Sequence, residues 1–220
     1  MQLIDLSHTI FDGIQTIKNI PGPIICDFWE RESTAKNYSD GSTFQMGKIE
    51  MISNTGTYMD CPFHRYADGH DLSGLPLKNC VNLPTIIVDA PYQNGLAVDV
   101  SFFKNLDVRK KAILVRTGWS EFFNTEKYLT QHPFLTEDAA LFLRDNGATL
   151  VGIDSHNIDD TRGGKRPVHT ILLRENILIV EHLTNMAEIP TGKKIYFSAV
   201  PPKIIGMGTF PVRAYVKVGS

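Results

Sequence analysis

Short runs of apolar residues, many of them β-branched, recur along the chain between polar or turn-forming segments. Such residues favour extended backbone, and runs of about four to eight of them are typical of buried strands. We therefore predict strands at residues 48–53, 85–90, 112–117, 150–154, 177–180 and 213–218.

One helix is well marked in the second half of the chain. Thr136 stands where a hydroxyl can cap its first turn, and Glu137 and Asp138 follow, where acidic side chains complement the helix dipole. Gly147 marks its end. A second helix is predicted at about residues 100–106.

The order of these elements predicts an α/β or α+β fold with a large mixed sheet and few helices. A strand at 112–117, a helix and a strand at 150–154 leave room for one parallel crossover unit. No internal repeat, low-complexity stretch or flexible linker is found, so we expect a single domain over residues 1–220.

Composition and charge exclude several classes of function. Apolar residues make up 42% and charged residues 21%, values typical of a globular chain with a full core. The formal net charge is -2 without a basic block, so we expect no nucleic-acid partner and no membrane surface. No apolar run approaches the ~20 residues that span a bilayer, and the N-terminus lacks a signal-peptide pattern, so a cytoplasmic location is predicted.

The cysteine pattern excludes a disulfide framework and a thiolate zinc site. The chain has three cysteines, an odd number, and none are spaced as CxxC. We expect free, buried cysteines, although Cys61 stands inside the polar segment described next.

Two segments are rich in side chains that carry chemistry. The first, NTGTYMDCPFHRYADGHD, contains Asp60 and His64, with Pro62 between them preventing a regular helix. The second segment is PVHTILLRENILIVEHLTNM. In it, His169 follows Pro167 and could lie on a short helix, and Glu181 ends an apolar strand. Polar segments after other strands, RTGW and DSHNIDD, could meet these at one crevice.

The spacing alone leaves two interpretations open. Asp60, His64, His169 and Glu181 would form a mixed oxygen and nitrogen set suited to zinc or manganese. Equally, an aspartate before Cys-Pro often forms a turn, and a single histidine is often a hydrogen-bonded structural residue. Four further histidines of the chain are interpreted as surface or structural residues, namely His70, His132, His156 and His182.

Several ordered motifs resemble one family over roughly residues 3–218. They are DLSHTI, NTGTYMDCPFH, RTGW, GIDSHNID, the stretch from PVH to VEHLTN, and PPKIIGMGTFPVRA. NTGTYMDCPFH is similar to the signature His-x-Gly-Thr-His-x-Asp-x-Pro-x-His of the cyclase-like family, which includes bacterial kynurenine formamidases and isatin hydrolase.

The resemblance implies a fold and an activity. Such proteins fold as a swivelling β/β/α domain with a mixed, barrel-like sheet and flanking helices, and they assemble as dimers or tetramers with sites near subunit contacts. They hydrolyse amides or lactams of small aromatic compounds, N-formylkynurenine and isatin among them. A bound zinc or manganese activates water, and a histidine transfers protons.

The chain departs from the signature at two metal ligands. The first two signature histidines fall on Asn54 and Tyr58, and both an amide oxygen and a neutral phenol are weak ligands for zinc. Asp60, His169 and Glu181 match the ligands of the other metal position, which is therefore complete. We expect at most one zinc or manganese ion, or none.

The resemblance and these residues together predict an arylformamidase-like hydrolase of a small cyclic or N-acyl substrate, acting on C–N bonds other than peptide bonds. Asp60, His169 and Glu181 would hold the metal, and the predicted catalytic residues are His64, Tyr58 and Asp60. His64 would be the general base and Tyr58 would donate to the developing oxyanion.

The predicted substrate-binding residues are Phe63, Arg65 and Asn54, with Phe28 and Trp29 as further candidate walls. Core packing is the alternative for the three aromatic residues, and a solvated surface position is the alternative for Arg65. We expect a homodimer or homotetramer. The alternative is a non-catalytic small-molecule binding protein that keeps the pocket and has lost metal ligands.

Overall fold

The computed structural model describes residues 2–219, which contain thirteen strands and three α-helices. The strands are β1 Gln2–Asp5, β2 Ile24–Trp29, β3 Met46–Glu50, β4 Tyr58–Asp60, β5 Leu83–Asp89, β6 Ala97–Val98, β7 Ala112–Arg116, β8 Phe134–Leu135, β9 Leu150–Ile153, β10 Leu178–Glu181, β11 Ile195–Ser198, β12 Thr209–Pro211 and β13 Tyr215–Val218. The helices are α1 Arg31–Thr34, α2 Glu137–Asp145 and α3 Pro167–Arg174.

Nine strands form one curled, mixed sheet in the order β1-β13-β11-β5-β7-β9-β10-β4-β12. Strands β5, β7, β9 and β10 are parallel neighbours. The strands on either side of them pair antiparallel. The predicted mixed, barrel-like sheet with few helices is therefore confirmed, and it contains three parallel pairings.

Both faces of the central strands are buried. Along β7, Leu114 belongs to one apolar cluster, whereas Ile113 and Val115 belong to another on the opposite face. The second cluster also contains Leu143 of α2 and Leu172 of α3, so these helices cover that face. Burial on both faces explains why these strands are continuous apolar runs.

The helix predictions have mixed outcomes. Helix α2 begins after Thr136 as predicted, but the Thr136 hydroxyl donates to Asp138 and makes no backbone cap. The helix ends at Asp145, just before Gly147 with its φ of 75°. The predicted helix at residues 100–106 is wrong, because only a 3-10 turn at Val100–Phe102 forms there.

Strands β2 and β3 form a separate hairpin whose residues are all exposed. It includes Cys26, which is exposed, so the expectation of buried cysteines holds only for Cys61 and Cys80. Within residues 2–219, no helix has the length and apolar character needed to cross a membrane. The cytoplasmic location stays a prediction.

Candidate functional site

Strand β4 carries the centre of the candidate site. Tyr58 and Asp60 stand two residues apart, so their side chains share one face of the sheet. Tyr58 lies directly opposite Glu181 on β10, and Asp60 lies directly opposite Thr209 on β12. The register therefore places a hydroxyl opposite each of the two carboxylates, and all four residues are buried.

Helix α3 brings His169 to the two carboxylates. Its Nε2 atom lies 3.4 Å from Asp60 Oδ2 and 3.6 Å from Glu181 Oε1. Asp60 Oδ2 is buried and has no hydrogen-bond partner. A buried carboxylate oxygen without a partner is costly, so a cation at this point would satisfy it.

Asp159 fixes the orientation of His169. It accepts from the Val168 amide at 2.7 Å, from the His169 amide at 3.0 Å and from His169 Nδ1 at 2.6 Å. The Nδ1 proton is thereby held, and Nε2 faces Asp60 and Glu181, the arrangement that orients a ligating histidine. The sequence predictions did not include Asp159, although it belongs to the GIDSHNID motif.

The charges of this cluster favour a cation. Burial lowers the pKa of His169, but its hydrogen bond to Asp159 and the nearby carboxylates of Asp60 and Glu181 outweigh burial and raise it to about 10. Burial raises the pKa of Glu181 to about 7 although the His169 charge opposes this. Burial also raises the pKa of Asp60, but His169 and His64 lower it more strongly, and the net shift is downward. Three buried carboxylates surround one imidazole, which leaves an excess of negative charge.

His64 stands at the exposed rim of the cluster. It ends the 3-10 turn Pro62–His64 that follows β4, and its side chain is 33% exposed. Donor atoms of Asp60, His64 and His169 lie within 4.8 Å of one another. The structure thus brings together the four predicted residues Asp60, His64, His169 and Glu181, while their roles stay predictions.

A buried hydrogen-bond chain ends on Glu181. The Tyr58 hydroxyl donates to Glu181 Oε2 at 2.6 Å, and His182 Nε2 lies 3.3 Å from the same hydroxyl. His182 Nδ1 lies 2.9 Å from the Tyr128 hydroxyl. Burial lowers the pKa of His182 well below its usual value, so this neutral ring has one N–H, and the chain runs from Tyr128 through His182 and Tyr58 to Glu181.

This hydrogen-bond chain affects the predicted role of Tyr58 as the oxyanion donor. Burial and the charge of Glu181 raise the pKa of Tyr58 well above 10, so its phenol stays protonated. Its single proton is already donated to Glu181, and only 1% of the residue is exposed. Donation to an oxyanion would break that bond. His182, interpreted as structural from the sequence, is instead a direct neighbour of the site.

The predicted substrate-binding residues are spread around the cluster. Phe63 packs against the apolar core, and Arg65 is exposed, with Nε 3.4 Å from Thr170 Oγ1. Asn54 is half-buried and accepts from the Ser53 hydroxyl at 3.1 Å. Phe28 and Trp29 lie on the exposed hairpin.

The strand-end motifs do not all meet at one crevice, contrary to expectation. Arg116, Thr117 and Gly118 of RTGW line a separate cavity of about 560 Å³ together with Asp154. Asp154 accepts from the Thr117 and Gly118 amides, so one end of DSHNIDD serves that cavity. Asp159, at the other end, supports His169. The cavity contains none of Asp60, His64, His169 and Glu181.

Both the sequence and the fold of this chain are similar to those of known proteins. The model of the Cyclase family, described as "Putative cyclase", matches residues 4–160, more than half of the chain. The chain belongs to the Cyclase family. A kynurenine formamidase of Salinibacter ruber is 29% identical over 185 residues, which cover 84% of this chain and 85% of that protein.

Solved structures of Cyclase-type proteins agree. A potential metal-dependent hydrolase with cyclase activity is 25% identical, with a TM-score of 0.79 and coverage of 98% of this chain and 96% of that one. An isatin hydrolase bound to a product analogue has a TM-score of 0.82 at 21% identity, covers 98% and 91% of the two chains, and supports the fold alone. The predicted family and fold are confirmed, and the amide hydrolases among the relatives bear out the predicted class of enzyme, a hydrolase of C–N bonds.

Proposed function

We propose that this Cyclase-family protein is an arylformamidase-like hydrolase of a small N-acyl or cyclic amide, lactam or lactone. The observation that carries the proposal is the buried set of Asp60, His169 and Glu181, with the unpartnered Asp60 Oδ2 inside it and His64 at its rim. The relatives named kynurenine formamidase support an N-formyl aromatic amine as the substrate.

The donor set fits one divalent ion. Asp60 Oδ2, Glu181 Oε1 and His169 Nε2 offer two oxygens and one nitrogen, a combination that suits zinc or manganese. Glu181 Oε2 and Asp60 Oδ1 accept from the Tyr58 and Thr209 hydroxyls. Glu181 Oε1 accepts from the Ile158 amide at 2.6 Å and keeps a second lone pair for an ion, whereas Asp60 Oδ2 has no hydrogen-bond partner. A divalent ion held there supplies Lewis-acid stabilisation of the negative charge that develops on the substrate oxygen.

His64 moves the proton in the proposed reaction. Its imidazole takes a proton from water as the water oxygen bonds to the formyl carbon, and the C–N bond then breaks as the same proton passes to the leaving nitrogen. An N-formyl arylamine and water give the free amine and formic acid, which loses a proton to solvent and becomes formate. Arg65 and Phe63, close to His64 in sequence, are proposed to contact the substrate, with Asn54 beside Tyr58.

The alternative function is a non-catalytic binding protein, favoured only by the loss of two signature histidines at Asn54 and Tyr58. The hydrolase is expected to turn over substrate, whereas the binding protein is not.

To distinguish the two functions, protein purified without chelator is supplied with zinc or manganese and assayed with N-formylkynurenine, isatin and simple lactones.

We expect turnover of at least one N-acyl or cyclic substrate, and loss of about two orders of magnitude or more in kcat for His64→Ala. His70→Ala, an exposed histidine six residues further along, is the matched control. Saturable binding of these compounds without any turnover would favour the binding protein.

A further inference from the structure

Thr209 lies between the buried Asp60 and His64, which stands at the rim of the site. Thr209 begins the edge strand β12, is 2% exposed and lies directly opposite Asp60. Its hydroxyl contacts Asp60 Oδ1 and also lies 2.8 Å from His64 Nδ1. The direct separation of His64 Nδ1 from Asp60 Oδ1 is 3.6 Å, which is too long for a hydrogen bond. The hydroxyl therefore connects the two groups.

The chemistry of a hydroxyl fixes the direction of both bonds. An ionised carboxylate only accepts, so the single proton of Thr209 is donated to Asp60. The hydroxyl oxygen must then accept from His64, which places a proton on Nδ1. A neutral imidazole has one N–H, so its Nε2 carries the free electron pair.

We propose that Thr209 is a positioning residue that selects the Nδ1–H tautomer of His64 and thereby presents Nε2 as the base. The inference rests on the proposed hydrolase function for its consequence, but the tautomer itself does not depend on any substrate. The Thr209 hydroxyl also donates to Asp60 Oδ1, so only the Oδ2 atom of Asp60 faces His169.

The tautomer matters because the His64 ring is otherwise weakly held. Its side chain is one-third exposed (33%), and Thr209 is its hydrogen-bond partner among the described residues. Without the hydroxyl, the ring can rotate or carry its proton on Nε2, and a protonated Nε2 cannot accept a proton from water. Since Nδ1 is engaged, His64 is also unsuited to bind an ion through that atom.

The tautomer is measured by ¹⁵N NMR of histidine-labelled, full-length protein loaded with zinc, at a pH where titration shows His64 to be neutral. The His64 signals are identified from their loss in His64→Gln. We expect the Nδ1–H form in the natural protein and in Thr209→Ser, which keeps the hydroxyl. Thr209→Val, which has nearly the same shape without it, is expected to shift His64 mainly to the Nε2–H form.

A natural protein with its His64 proton on Nε2 overturns the proposal, and so does a Thr209→Val tautomer that does not change. The spectrum of the natural protein decides the point even where Thr209→Val fails to fold.

Kinetics test the consequence separately. With N-formylkynurenine, Thr209→Val is expected to lower kcat by about 10–100-fold with KM changed by less than about twofold, and Thr209→Ser is expected to recover most of kcat. Unchanged kcat in Thr209→Val, or loss of bound zinc as the cause of its decrease, contradicts the assigned role. Absence of turnover in the natural protein refutes the hydrolase function and leaves the tautomer measurement standing.

Discussion

Asp60 and Glu181 each have one oxygen engaged by a hydroxyl and one facing His169. Tyr58 engages Glu181 and Thr209 engages Asp60, and both are buried cross-strand neighbours of the acid they bind. A hydroxyl proton beside a carboxylate oxygen takes the place of a second cation. At the scale of single residues, the site is therefore suited to one ion.

Metal content tests this conclusion directly. We expect at most one zinc or manganese ion per chain, and none in His169→Ala or Glu181→Ala, because each removes a donor. The double change Asn54→His and Tyr58→His restores two imidazoles and is expected to raise the metal content. Elemental analysis of protein purified without chelator measures all of these, and two stoichiometric ions in the natural protein would contradict the account.

Asp159 should control the metal affinity through His169. Replacing it by Asn removes the charge that holds the Nδ1 proton, and such substitutions typically weaken metal binding by about 10–100-fold. Competition with a chromophoric zinc chelator measures the change. The matched control is Asp160→Asn, which alters an acid paired with Arg162 at the surface. Equal affinities in the two variants would exclude the role of Asp159.

Zinc binding should release a proton. The pKa of His169 is raised to about 10, so without an ion its ring is protonated at neutral pH, and Nε2 must lose that proton before it can bind. Apparent affinity should therefore rise as the pH rises toward 10 and fall as the pH is lowered. Calorimetry at about pH 8 in buffers of different ionisation enthalpy should find about one proton released. A heat of zinc binding that does not depend on the buffer would show that His169 releases no proton.

At the scale of elements, the sequence predicted the central strands, including β10 with Glu181, and missed β4 and β12, which carry the other strand residues of the site. The runs at 112–117 and 150–154 became β7 and β9, because strands buried on both faces are continuously apolar. Strands β4 and β12 have three residues each and alternate polar with apolar side chains, so no run marks them.

The residues of the site were predicted unevenly for the same reason. The resemblance identified Asp60, His64, His169 and Glu181, because these stand in recognisable motifs. Thr209 and the Tyr58–Glu181 bond depend on strand register, which a single sequence does not reveal. Asp159 acts by capping α3 from a loop, ten residues before the histidine it holds.

Gly208 allows β12 to approach the turn that carries His64. A Cβ atom there would lie 2.4 Å from the His64 amide nitrogen and 2.5 Å from its Cα, both backbone atoms. Gly208→Ala is therefore expected to cost about 1–3 kcal/mol in the free energy of unfolding and to lower kcat by displacing His64. Urea denaturation and kinetics measure the two effects.

The control for Gly208→Ala is Gly163→Ala, where a Cβ would meet nothing within 4 Å. Equal stability and activity of the two alanine variants would show that β12 can move away without consequence.

At the scale of the whole molecule, the hairpin of β2 and β3 is the notable apolar surface. Ile24, Phe28 and Ile49 are 56%, 61% and 59% exposed, and an isolated two-stranded hairpin has little stability of its own. Ile49 pairs with Ile25, so the exposed apolar side chains lie on both faces of the hairpin, and exposed apolar surface of this extent is typical of protein contacts. We propose that a second copy of the chain covers it, in the homodimer or homotetramer expected from the family resemblance.

Light scattering at micromolar concentration should find a dimer or larger assembly. Phe28→Asp and Ile49→Asp place charges on the hairpin and are expected to shift the protein toward monomer. Ile205→Asp is the control, since that side chain is 85% exposed in a different loop. A monomeric natural protein would remove the basis for the assembly.

The place of β12 at the border of the nine-stranded sheet has a consequence for solubility. A free strand edge invites another chain to add a strand, and long, regular edges are the usual starting points of aggregation. This edge is three residues long and ends at Pro211, which has no amide proton to donate. The edge strand can thus carry Thr209 without offering a template for edge-to-edge assembly.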